Sequence, residues 1–191
     1  MTSSKLGDSF DIVKRFFRDT LSEIAPLQCD PYFLEPGLQP SDYENATGVP
    51  VRSAHGSAIG LLLDPHTGIH VSDRHRKSRA YATTHYIAAA LHDHSVSYCV
   101  VFDQSSHRNK VPLRDQLLPK VDDLRRRDIG GFYYVSHAPF LFAARRQDTL
   151  RALRSALREA GIPANRFFSN SMKSPNPDPA NGYPPRDHVF Q

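Results

Sequence analysis

Asp8-Ser9-Phe10-Asp11-Ile12-Val13-Lys14-Arg15-Phe16-Phe17-Arg18-Asp19-Thr20-Leu21-Ser22-Glu23-Ile24-Ala25-Pro26-Leu27 is the stretch on which the fold turns. Phe10, Val13, Phe17, Leu21 and Ile24 recur at helical spacing, Asp8 or Ser9 stands where an N-cap belongs, and Pro26 bars continuation. The pattern predicts a helix from Asp8 to Leu27. A short strand around Phe16 to Arg18 is the competing reading, and the two place Arg18 in different surroundings.

Downstream, Asp30 to Pro40 is punctuated by prolines and a glycine and reads as loop or broken turns. Val49 to Leu63 reads as strand, bend and strand, with Gly56 and Gly60 as the breaks. Asp64-Pro65-His66-Thr67-Gly68 has turn chemistry and leads into the alternating piece Ile69-His70-Val71. Thr84 is placed to cap a helix that runs through Leu91 and stops near His92-Asp93-His94. Val96 to Phe102 is apolar and rich in β-branched and aromatic residues, which predicts a buried strand. Lys110 to Arg127 is polar and fits no template. Ile129 to Phe142 reads as two strands or one bent strand, broken at His137-Ala138-Pro139. The clearest helix runs from about Asp148 to Ala160, with Leu150, Leu153 and Leu157 as its apolar stripe, Arg151, Arg154 and Arg158 on its wet face, and Gly161 and Pro163 closing it. The expected architecture is α+β, with a central mixed or antiparallel β core flanked by helices over residues 1–168. The Pro- and Asn-rich tail, 169–191, is packed on that domain or extends from it.

With 191 residues and 39% hydrophobic residues, the chain is long enough to bury a core in one domain. Its two cysteines, Cys29 and Cys99, are too few for a disulfide framework, and Cys99 lies in an apolar run that suits a reduced, buried thiol. No apolar run is long enough to span a membrane, and the N-terminus lacks the apolar core of a cleaved signal. The expectation is a cytoplasmic protein, or one delivered to a host cell without a cleaved signal. A net charge of +4 and a pI near 9.2 point weakly to an anionic partner. The basic residues gather at Arg74 to Arg79, at Arg125-Arg126-Arg127 and along Arg145 to Arg158, and runs of this kind also form ordinary solvated faces. The aromatics do not interleave with these runs as a single-strand stacking platform requires.

Four fragments occur in a telling order: Phe16-Phe17-Arg18-Asp19-Thr20, Tyr81-Ala82-Thr83-Thr84 before a helix and strand, Ile129-Gly130-Gly131-Phe132-Tyr133-Tyr134-Val135, and Arg166-Phe167-Phe168-Ser169-Asn170 with Asn181-Gly182-Tyr183-Pro184-Pro185. Their order resembles the catalytic domain of the cholera, heat-labile enterotoxin and pertussis toxin group, the Arg-Ser-Glu class of ADP-ribosyltransferases. The resemblance implies an ADP-ribosyltransferase-like fold and a toxin or effector that uses NAD as substrate to modify a macromolecular acceptor, protein or nucleic acid. It implies that Arg18 binds NAD, as a guanidinium fork holds pyrophosphate or ribose oxygens. Thr83 and Thr84 would brace the cleft, and Tyr133 would stack on nicotinamide or serve the core. The family's essential glutamate has no counterpart, because leucine follows Asp115-Gln116 where that acid belongs. Asp115 or Asp122 is then the catalytic acid, or the chain is a silent relative that binds NAD or a partner protein.

Rival constellations are thinner. Arg52 is a second candidate for the first-strand arginine. His92 and His94, with His85 or His107, suggest a metal site but lack any established ligand spacing. Cys29 and Cys99 are poor candidates for a nucleophile. The alternative class is a basic nucleic-acid-binding or protein-binding accessory protein, whose sign would be one contiguous basic face.

Overall fold

Asp8 caps the first helix, its Oδ1 accepting from the backbone N–H of Phe10 at 2.8 Å and of Asp11 at 3.3 Å. The computed structural model describes residues 8–53, 58–71, 79–105, 111–137 and 139–169. Helix α1 spans Ser9–Leu21 and buries Phe17 and Leu21 completely. The helical reading therefore holds, but α1 stops before Pro26, and Leu27 already belongs to the strand β1, Leu27–Cys29.

The remaining elements are α2 (Pro40–Thr47), β2 (Ile59–Leu63), β3 (Gly68–His70), β4 (Tyr81–Thr83), α3 (Thr84–His92), β5 (Val96–Phe102), α4 (Leu113–Arg125), β6 (Gly130–Tyr134), β7 (Phe140–Ala144), α5 (Gln147–Glu159) and β8 (Phe167–Phe168). They form an α+β domain around a mixed six-stranded sheet in the order β1-β2-β5-β7-β6-β8. β1, β2 and β5 are parallel, and β5, β7, β6 and β8 are antiparallel. β3 and β4 make a separate parallel pair.

Every residue of β2 and of β7 is buried, because helices cover both faces of the sheet. Phe140 and Phe142 of β7 and Val100 and Phe102 of β5 point to one face, with Phe17 and Leu21 of α1 and Leu150, Leu153 and Leu157 of α5. Leu141, Ala143, Cys99 and Val101 point to the other, with Ile87 and Leu91 of α3 and Leu117, Val121 and Leu124 of α4. Helix α5 closes as its sequence predicts. Gly161 takes a left-handed φ of 95°, its N–H reaches Arg158 O, and Ile162 N–H reaches Leu157 O.

The stretch 110–127, which fits no template as sequence, contains α4. Its apolar stripe of Leu117, Val121 and Leu124 is interrupted by buried Lys120 and Asp123, and Pro119 sits inside it. Gly60 is no break either. It lies within β2, at a register irregularity between Ile59 and Gly60, directly opposite Tyr98 of β5. Gly56, most of the run Arg74 to Arg79, His107 and the tail beyond Ser169 lie outside the described residues.

Candidate functional site

The residues expected to form an NAD cleft are separated by the sheet. Arg18 sits on α1, where its Nε donates to Asp19 Oδ1 at 2.7 Å and its NH1 to the carbonyl of Gly48 at 2.5 Å. Gly48 ends α2 with a φ of 70°, so Arg18 ties α1 to the end of α2. Thr83 and Thr84 lie beyond the opposite face. Thr83, rather than Thr84, caps α3, accepting from Tyr86 N–H at 3.1 Å. Thr84 is fully buried and donates to Asp123 Oδ2 at 2.5 Å. Burial works against the Asp123 carboxylate, but donation from Thr84, Arg126 and Arg127 outweighs it and holds its pKa below the usual range.

Tyr133 is fully buried, and its hydroxyl donates to Asp103 Oδ2 at 2.8 Å, so its ring offers no stacking face. Asp115 is exposed in the first turn of α4. Arg52 donates to Asp93 Oδ2 at 2.8 Å and does not face Thr83. Among the described residues, Arg18 on α1 is therefore not brought together with Thr83, Thr84 and Asp115. His92 ends α3, and among the described residues no group of three or more His, Cys, Asp or Glu is placed to hold a metal ion.

A second arrangement was not anticipated. Asp30, Asp64 and Asp103 follow the carboxyl ends of the parallel strands β1, β2 and β5. Val51 makes a parallel bridge to Cys29 on the edge of β1 that β2 leaves free. The chain thus leaves β1 outward through α2 and leaves β2 the other way through α3, which makes the β1/β2 crevice a topological switch point. In many open sheets ligands enter there, but here the carboxylates are occupied from within.

Lys14 Nζ donates to Asp64 Oδ2 at 2.7 Å and to Asp11 Oδ1 at 2.9 Å, and Tyr43 donates to Asp64 at 3.1 Å. Burial opposes the Lys14 ammonium, yet Asp64 and Asp11 together outweigh it and raise its pKa. Asp103 accepts from Ile69 N–H, Ser105 N–H and Ser105 Oγ on one oxygen, and from Lys120 Nζ and Tyr133 on the other. Tyr86 and the N–H of Tyr32 cover Asp30. The cavity beside Lys14 and Asp64 measures about 30 Å³, room for a water and little else. These groups anchor helices to the strand ends.

The open concave surface lies at the other end of the sheet. A groove of about 660 Å³ runs along the outer edge of β6, between Arg125 at the end of α4 and Arg151 and Arg154 on α5. It shares Arg154 and Ser169 with a second lobe of about 400 Å³, lined also by Arg114, Arg158, Phe167 and Phe168. Arg154 lies over the ring of Phe132 at 4.7 Å and reaches Ser169 Oγ at 3.3 Å, and burial lowers its pKa without removing its charge. Arg125 is 3.9 Å from Asp122, and Arg151 pairs with Asp148. Among the described residues Arg114, Arg154 and Arg158 have no carboxylate partner.

The basic runs of the sequence therefore converge in part. Arg125 joins α5, whereas Arg126 and Arg127 turn to Asp123. Arg79 lies over Tyr32 at 5.6 Å, away from the groove. The aromatics that do not interleave with basic runs along the chain meet them in space, because β8 sets Phe167 and Phe168 beside Arg154. Comparison of the chain with protein-family models, with curated proteins and with solved structures finds no match, and no family is assigned.

Proposed function

We propose that this protein is a nucleic-acid-binding module that grips the phosphate backbone in the arginine-lined groove at the β6/β8 end of its sheet. One observation carries the reading. Arg114, Arg125, Arg151, Arg154 and Arg158, from two helices far apart in sequence, line two adjoining hollows that share Arg154 and Ser169 and whose lining includes a single carboxylate residue, Asp128. Guanidinium groups match phosphate oxygens in a fixed fork and remain charged at any physiological pH. Arg18 and Thr83 lie on opposite faces of the sheet, which favours this groove over an NAD site built on that pair.

Fluorescence anisotropy with a labelled oligonucleotide tests the proposal. Binding weakens with salt because each neutralised phosphate releases counterions, with a log–log slope of about −0.7 per contact on single strands and about −0.9 on duplex. Arg125, Arg151 and Arg158 are exposed, so replacing all three with alanine removes charge without disturbing the core. The triple variant is expected to bind more weakly and to flatten the salt slope by about 2 to 3. Arg18→Ala, remote from the groove, is expected to change neither. An unaltered slope in the triple variant would overturn the proposal.

A further inference from the structure

The groove has features that a phosphate-binding face does not need. Its floor is the edge of β6, and β8 covers only part of that edge, pairing with Tyr133 and Tyr134. Backbone groups of alternate residues in an antiparallel strand turn to the same side. Val135 N–H donates to Arg166 O on the β8 side at 2.9 Å, so Tyr133 and Gly131 turn their backbone groups the same way. Among the described residues no paired strand residue stands opposite Gly131, and its N–H and C=O face the groove. A Cβ on Gly130 would run into Leu150, so glycine lets α5 lie close over this end of β6.

The second lobe adds rings. Phe167 packs edge-on against Phe132 with centroids 5.6 Å apart, and Phe168 packs against the opposite core. Both are half-buried and line the lobe beside Arg114, Arg154 and Arg158. Arginines on the walls, backbone groups of Gly131 that no described strand residue pairs, and half-buried phenylalanines beside them form the layout of a site that reads bases as well as phosphates. A duplex keeps its bases stacked and paired, out of reach of groups recessed between two helices.

We propose that the groove takes single-stranded nucleic acid, with phosphates on Arg125, Arg151, Arg154 and Arg158 and bases against Phe167, Phe168 and the β6 edge at Gly131. This deepens the nucleic-acid reading and rests on it. Stacking of bases on aromatic rings tolerates any sequence, so the predicted preference is for single strands as a class.

The test compares three probes at one salt concentration: oligo(dT) of about 15 nucleotides, an abasic strand of equal length, and a duplex of equal length. Oligo(dT) is expected to bind about tenfold or more tighter than either other probe, the loss of one stacked base being of that order. Phe167→Leu and Phe168→Leu keep apolar bulk at the sheet edge. They are expected to narrow the gap between oligo(dT) and the abasic strand while leaving binding to the abasic strand in place. Equal affinity for the abasic strand, or equal or tighter binding of the duplex, would overturn the single-strand inference and leave phosphate binding standing. Failure of all three probes to bind would remove both proposals together.

Discussion

Lys14 shows how a side chain that reads as surface from sequence becomes interior structure. It is 1% exposed and holds two buried carboxylates, Asp11 on its own helix and Asp64 beyond β2. Removing one member of such a group strands the others without water, at a cost of about 3–5 kcal/mol. Lys14→Met is therefore expected to destabilise the fold by that amount in urea denaturation. Arg18→Ala, which loses a half-exposed pair with Asp19 and a part-buried hydrogen bond to the Gly48 carbonyl, is expected to cost about 1–2 kcal/mol. Equal effects from the two would contradict this account of the strand ends. Nothing local in the sequence distinguishes Lys14 from Arg15 beside it. Asp64, its partner, lies 50 residues away, and only the pairing of β2 into the sheet brings the two together.

At the scale of elements, β2 and β5 are held in register by a hole and a ring that fills it. Tyr98 lies over Gly60, its directly paired neighbour, and its hydroxyl donates to the carbonyl of Ala25 at 2.8 Å, tying β5 to the turn before β1. A methyl group on Gly60 would occupy the space of the ring. Gly60→Ala is expected to cost about 2–3 kcal/mol, the usual penalty of overpacking together with loss of the buried hydrogen bond. A denaturation midpoint unchanged from wild type would show that the ring has room to move. Elements with one clean periodicity were legible in advance: α1, α5, the buried strand β5 and the β6/β7 pair. Helix α4 was not, because Lys120 and Asp123 occupy its inner face to serve Asp103 and Thr84, and each buried polar residue erases one beat of the apolar pattern. The ends of α1 and the cap of α3 shifted for a similar reason, since adjacent residues such as Thr83 and Thr84 carry the same capping chemistry.

The molecule as a whole separates its charges. Ion pairs at the carboxyl ends of β2 and β5 are closed and buried, while the arginines of α5 and the end of α4 gather around the β6/β8 edge of the sheet. A net charge of +4 suggests an anionic partner but does not locate it. The arginines meet aromatic rings through β8, two residues that pair back onto β6 and bring Phe167 and Phe168 beside Arg154. That contact spans the long connection through β7 and α5, and no local pattern announces it. Ordered fragments around Arg18 and Thr83 could resemble a known catalytic domain in sequence and still lie on opposite faces of the sheet. The most direct measurement is photocrosslinking of a bromouracil-substituted single strand, followed by mass spectrometry of the labelled peptides. The account predicts crosslinks confined to residues 130–132 and 167–169. Crosslinks at Tyr32, Tyr86 or Arg79, beside the switch-point crevice, would contradict it.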